Sequence, residues 1–323
     1  MNFKNLLPPK LPADHSPAIA IQFKKYGIFI AFVLICILLT IATPNFLTLQ
    51  NIVMVLRQIS INGILAIGVT FVIISGGIDL SLGSVVALSG VAAASFAHPG
   101  TYGLFVPLLV GLLIGVTIGT VNGLIITKGK VAAFIVTLGM MTIARGLALV
   151  VSDGRPISNL SDSFNFIGGG EFLNIPIPIL LFGVVILIAS VSLKYTKTGR
   201  CVYAVGGNEN AAKASGINVN SLKLFTYIIC SGLAGLAGIV LASRITTGQP
   251  NAGVAYELDA IAAVVIGGTS LSGGSGKIIG TVVGALIIGV INNGLDLLNI
   301  TSYSQQIIKG LIIVGAVLLD RKN

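Results

Sequence analysis

The chain has 323 residues, 54% of them hydrophobic and only 9% charged, with a mean hydropathy of +1.00. Soluble domains carry about 25% charged residues, so this composition excludes one and puts most of the chain in a membrane. The net charge of +9 gathers in the loops of one side, which points to membrane topology and away from a nucleic-acid partner.

In chain order, a polar tail (1–26) leads into ten apolar runs at 27–43, 52–75, 79–97, 104–126, 131–151, 175–193, 221–243, 258–267, 278–298 and 304–319, followed by a stub at 320–323. Most approach the roughly 20 residues needed to cross a hydrocarbon core. The expected fold is an all-α, polytopic transmembrane bundle of about ten helices over 27–319. The first run follows Lys24 and Lys25, but no small-x-small cleavage site comes after it, so it reads as a retained helix. In the fourth, Gly111, Gly115, Gly119 and Gly123 recur four apart, the spacing of a packing seam between membrane helices. The eighth is too short to span alone. It is either a half-helix or starts before its apolar run. Cys36, Cys201 and Cys230 show neither metal nor disulfide spacing.

With the N-terminus inside, the interior side collects Lys4, Lys10, Lys24, Lys25, Lys128, Lys130, Lys194, Lys197, Arg200, Lys213, Lys277, Arg321 and Lys322, while the outer loops keep Arg155 and Arg244. This positive-inside pattern predicts that both termini are cytoplasmic. The outer loop 152–174, with Asp153, Arg155, Asp162 and Glu171, reads equally as a docking surface or a solvated connector.

The chain echoes itself. GGIDLSLGS (76–84) and GGTSLSGGS (267–275) agree at six of nine positions, 191 residues apart. Each follows an apolar run that stops at Gly-Gly, so both read as interruptions of membrane helices. Interrupted segments in corresponding places of two halves mark transport pathways. Asp79 and Ser270 sit where helix N-caps belong, and capping alone also accounts for Asp79. The helix count puts both echoes on the cytoplasmic side, whereas an inverted repeat would separate them; either the count is off by one around 245–267 or the echo is local mimicry.

Enzyme chemistry finds little support. Gly276-Lys277 has Leu271 where a phosphate loop needs Gly, and Ile278 where it needs Ser or Thr. Gly273-Gly274-Ser275-Gly276 matches the Gly-x-Ser-Gly of intramembrane rhomboid proteases, which makes a hydrolase using Ser275 the alternative from another class. That chemistry needs a base, and the only His are His15 and His98, far upstream. Polar residues inside spans are Arg57, Asn62, Asn122, Arg145, Asn292, Asn293, Asp296 and Lys309. They face inward because desolvation is costly, either as inter-helix hydrogen bonds or as a lining for hydroxyl-rich cargo. Asn62, Asp79, Asn122, Asn292 and Asn293 are the pathway candidates. The scarcity of intramembrane acids argues against an ion-coupled carrier.

The cytoplasmic polarity concentrates in 194–220, a segment too small to be an enzyme domain and suited to gripping a separate chain. Within it, Asn208 to Ser215 can form a short helix between Gly206-Gly207 and Gly216, with Ala on one face to enter a partner's groove. An ordinary loop helix is the plainer reading.

At this loop a resemblance becomes specific. GGNENAAKASGINV (206–219), SGGIDLSLGS (75–84), YELDAIAAVVIGGTSLSGG (256–274), TPNFLT (43–48), QPNAG (249–253) and NNGL (292–295) are similar to the ribose-type sugar permeases of ATP-binding-cassette importers, from about residue 40 to the C-terminus. The family's cargoes include ribose, other pentoses such as xylose and arabinose, hexoses such as galactose, and a furanosyl signal molecule. The resemblance implies a permease of the vitamin-B12-importer type in the bacterial inner membrane, with no cofactor of its own. It would work as a pair, most simply a homodimer, on an ATPase bearing two nucleotide-binding domains, and would receive sugar, ribose above all, from a periplasmic binding protein. By the same resemblance, 206–216 is the coupling helix, with Gly206, Gly207, Asn208, Glu209, Ala211, Ala212 and Gly216 meeting the ATPase.

Overall fold

The computed structural model describes residues 18–320; the expected tail residues 1–17 and stub residues 321–323 lie outside them. Among the described residues there are thirteen α-helices and one two-stranded hairpin. Helix α1 (Ala18–Ala42) starts inside the segment expected as tail, since no proline follows Pro17 until Pro44. Each of the ten apolar runs then holds one helix: α1, α2 (Leu49–Ile74), α3 (Leu82–Ser95), α4 (Phe105–Thr127), α5 (Ala133–Val151), α7 (Ile177–Tyr195), α10 (Val219–Arg244), α11 (Tyr256–Ile266), α12 (Ile278–Leu297) and α13 (Ser302–Asp320). Of these, α2, α4, α5, α7, α10 and α12 are long and apolar enough to cross a membrane.

Helices α2, α3 and α10 form the centre. Nearly every residue of α3 is buried, as is the run Ile59–Ile74 of α2. Helices α4, α5 and α7 bury one stripe each and leave apolar side chains such as Leu113, Ile143 and Leu187 outward, as lipid-facing helices do. The glycine ladder of α4 is the expected seam. A side chain at Gly115 or Gly119 would strike the α10 backbone at Ser231 and Tyr227, so the two helices approach almost backbone to backbone.

Among the ten helices of the apolar runs, α3 and α11 are the short ones, with 14 and 11 residues. Chain 245–255 links α10 to α11 without helix. Gly248 lies against Val91 and Ala94 near the end of α3, whereas Gly253 lies against Gly83 near its start. The segment therefore runs back along α3 into the bundle, and α11 begins at that depth as a half-helix. This resolves the short eighth run. The residues between α2 and α3 reach the same depth: Tyr227 and Ser231, midway along α10, bond Ile78 and Asp79.

Both echoes lie at one end of the bundle, so the helix count stands. Each marks a helix end where the next residue turns left-handed, Gly76 at φ +80° after α2 and Gly268 at φ +82° after α11, a conformation glycine adopts without penalty. They join a full-length helix to a half-length one, in opposite order. Ser270 does not cap α12 as expected. Its hydroxyl accepts from the Ser272 N–H, and the cap position of α12 is Lys277, because the turn over 269–277 delays the helix.

The stretch 152–176 carries α6 (Asp162–Gly169) and a hairpin of β1 (Glu171–Phe172) with β2 (Ile175–Pro176). Two short helices fill the polar segment at the opposite end, α8 (Lys197–Gly207) and α9 (Glu209–Ala214). None of these three helices has the length or hydropathy signal by which the spans were read.

Candidate functional site

The polar segment is built by caps. Thr196 Oγ1 accepts from the Gly199 N–H at 3.0 Å and starts α8. Asn208, at φ −158°, ends α8 and caps α9, its Oδ1 accepting from Ala211 N–H at 2.9 Å. Gly216, at φ +80°, closes α9 while the Ile217 N–H reaches back to the Ala212 carbonyl, a Schellman-type end.

Six of the seven residues expected to couple divide into three sets, and Gly206 stands apart from them. Gly207, Asn208, Ala211 and Gly216 are exposed and available to a partner. Ala212 turns inward and is buried. Glu209 binds its own chain, with one carboxylate oxygen 2.7 Å from Lys213 Nζ and the other 2.7 Å from Lys223 Nζ on α10. Those hydrogen bonds, Lys213 first and Lys223 second, hold its carboxyl at about 2, against an ordinary 4.5. Glu209 is thus the tie between α9 and α10.

Gly206 lies deeper. A Cβ there would run into the Ile74 carbonyl oxygen and the Gly274 N–H nitrogen, which already bond each other at 2.9 Å. Gly273, at φ +85°, would in turn strike the Gly206 oxygen and Gly76 Cα. The end of α2, the end of α8 and the turn before α12 therefore meet through backbone alone, with Tyr203 Oη donating to the Gly276 carbonyl at 2.9 Å beside them. The two echoes and the polar segment form one joint.

Above it, Asp79 is fully buried. Its Oδ1 accepts from Ser81 N–H at 2.9 Å and Ser81 Oγ at 2.6 Å, and its Oδ2 from Ser231 Oγ at 3.3 Å. Asn122 Nδ2 donates to Ser81 Oγ at 3.2 Å. Asp79 is not the N-cap of α3, which is Ser81; it clamps the approach to α3 onto α4 and α10. Two of the pathway candidates, Asp79 and Asn122, thus share one network. Asn293 of α12 exchanges two amide hydrogen bonds, 2.8 and 3.0 Å, with Asn51 of α2. Asn292 donates to Asp259 Oδ2 at 3.4 Å, where Lys309 Nζ sits at 2.9 Å. Asn62 stands apart on α2, its buried Oδ1 unpaired. All five candidates are buried.

Arg145 of α5 has a role that hydropathy could flag only as an anomaly. Its Nη1 donates to the Pro250 and Ala252 carbonyls at 2.6 and 2.7 Å, satisfying backbone of the re-entrant segment that no helix satisfies. Arg57 is paired with Glu171 of the β1–β2 hairpin at 2.7 Å. Ser231 and Asn51 had no distinguishing signal in the sequence, and Ser81 had only its place in the first echo. Ser275 is exposed at the joint, while His98 lies past the far end of α3 beside Asn159, so among the described residues the hydrolase alternative has no histidine within reach.

The family model described as "Branched-chain amino acid transport system / permease component" matches residues 51–317. Ribose import permease protein RbsC of Bacillus subtilis is 50% identical over 302 residues, 93% of this chain and 94% of its own. L-arabinose transport system permease protein AraH of Escherichia coli is 41% identical over 297 residues, 92% and 90% of the two chains. D-allose transport system permease protein AlsC, also of Escherichia coli, is 38% identical over 303 residues, 94% and 93%. No solved structure matches.

Proposed function

Because the chain belongs to the branched-chain amino acid transport system / permease component family, we propose that it is the membrane subunit of an ATP-driven importer that carries ribose into the cell. The chain is a multi-pass membrane transporter subunit. The cargo reading rests on identity: 50% to the ribose permease against 41% and 38% to the arabinose and allose ones, all over nearly the whole length.

In this reading a second copy completes the pathway, a periplasmic binding protein supplies the sugar, and the termini face the cytoplasm with α8 and α9. A separate ATPase engages the open side of α9 at Asn208, Ala211 and Gly216. Force on α9 reaches α10 through Glu209 and Lys223, 2.7 Å apart. It reaches α2 and the turn before α12 through Gly206, where backbone meets backbone. A rigid joint of this kind moves its three elements together. Asp79 and Asn122 act as the clamp on α3 that such motion loads, and Asn62, Asn292 and Asn293 face the path when the bundle opens.

The test is labelled-ribose uptake into proteoliposomes, with and without a ribose-type ATPase and binding protein. Uptake that needs ATP and both partners is the expected result. Uptake by this chain alone on an ion gradient overturns the reading, and arabinose or allose outcompeting ribose overturns the cargo.

A further inference from the structure

At the α9 end of the bundle, α7, α8 and the residues before α12 enclose a cavity of about 700 Å³ that the transport reading leaves unused. Three cations line it, Lys194, Arg200 and Lys277, together with the hydroxyl residues Ser190 and Ser275. The lining contains no carboxylate, and among the described residues none of the three cations is ion-paired. Lys194 rests over the Tyr195 ring at 4.9 Å, and Arg200 makes only a long 3.5 Å contact to the Tyr195 carbonyl. The first turn of α12 lines the same cavity, and its cap residue Lys277 offers it no side-chain acceptor, so its amide dipoles favour an anion as well.

The cavity is not purely polar. Leu193 and Ile279 line it, and Ile279 is 65% exposed. One and two turns up α7, Val191, Ile188 and Leu187 continue an exposed apolar face into the span. A soluble phosphate has no use for that face. A lipid does, with its phosphate among the cations and its chains along α7. We propose that this cavity binds the phosphate headgroup of an anionic phospholipid from the leaflet on the α9 side. A basic pocket between helix ends suits such headgroups. The bound lipid would bridge α8 to the turn that carries Gly273 and Gly274, and so would sit against the joint.

The experiment is native mass spectrometry of the full-length purified chain titrated with phosphatidylglycerol, phosphatidylcholine or glycerol 3-phosphate. The expected result is one retained phosphatidylglycerol, little phosphatidylcholine, and no displacement by glycerol 3-phosphate. Lys194→Gln, Arg200→Gln and Lys277→Gln should each weaken retention about fivefold, and all three together on the order of a hundredfold, while Lys128→Gln leaves it unchanged. Equal retention of the two lipids, or retention unaltered in the triple variant, overturns the proposal. So does glycerol 3-phosphate competing as well as the lipid, which would mark a soluble-phosphate site. Retained lipid with lost ATPase capture in the triple variant would assign the cations to a protein contact instead. Should the triple variant not fold, the single variants and the comparison of lipids on the unaltered chain decide.

Discussion

Gly206 and Gly207 are neighbours in the same helix, and the structure separates them sharply. A methyl group on Gly206 meets the Ile74 carbonyl and the Gly274 amide, both backbone; one on Gly207 meets nothing within 4 Å. Gly206→Ala must therefore push α8 away from α2 and the turn before α12. Overpacking of this kind costs about 1–3 kcal/mol. Stretching the 2.9 Å bond between Gly274 and Ile74 adds about 1 kcal/mol, and the gain in helix propensity of Ala over Gly returns about 1 kcal/mol. The net, about 1–3 kcal/mol, falls on the joint and corresponds to a shift of roughly 5- to 150-fold in an equilibrium between two states. Gly207→Ala receives the same propensity gain without the clash. In proteoliposomes with ATPase and binding protein, Gly206→Ala should lower ribose uptake at least fivefold while ATP hydrolysis persists, and Gly207→Ala should transport normally. Equal transport by the two variants, or equal loss, would refute a joint centred on Gly206.

Arg145→Leu strips two carbonyls of their donor inside the bundle, a loss of about 2–5 kcal/mol, and should lower the melting temperature of the detergent-solubilised protein. Asn51→Leu and Asn293→Leu should each destabilise by about 1–3 kcal/mol because each orphans the other amide. The double variant should cost less than their sum by at least about 0.5 kcal/mol in a melting cycle. Glu209 has a depressed folded-state value, so its contribution is complete above the ordinary value of 4.5 and fades as pH falls from there through about 2. A spin label at exposed Ala211 should keep constant mobility from about pH 8 to 5 and loosen below, whereas loosening near pH 6 would indict another group. Glu209→Lys gathers three cations around α9, and should abolish uptake while membrane insertion stays intact.

The spans were legible because hydropathy is a local property and each run contained its helix. So was the α4 seam, since a four-residue glycine spacing has one structural use in an apolar helix. The polar segment was legible as a short helix set between glycines, but its internal division was not. Glu209 and Ala212 read alike as surface residues of a short helix, and only the position of α10 turns one into a tie and the other into an anchor. The two echoes looked like parallel features of separate halves, whereas their contact is backbone to backbone and leaves no side-chain signature beyond glycine itself. Arg145 registered as costly in a span, yet its partners are carbonyls over a hundred residues later. Carbonyls have no residue identity to read.

The re-entrant segment 245–255 bears on how the chain is put into the membrane. A stretch of non-helical backbone cannot be released into lipid on its own, because its carbonyls would meet hydrocarbon bare. Those of Pro250 and Ala252 find their donor only on α5, and Gly248 and Gly253 find their groove only along α3. The 11-residue α11 that follows is also too short to be threaded as a span by its own hydrophobicity. The late part of the protein therefore settles only onto an early part that is already standing, and a translocon that inserts helices one by one must leave this piece to be packed afterwards.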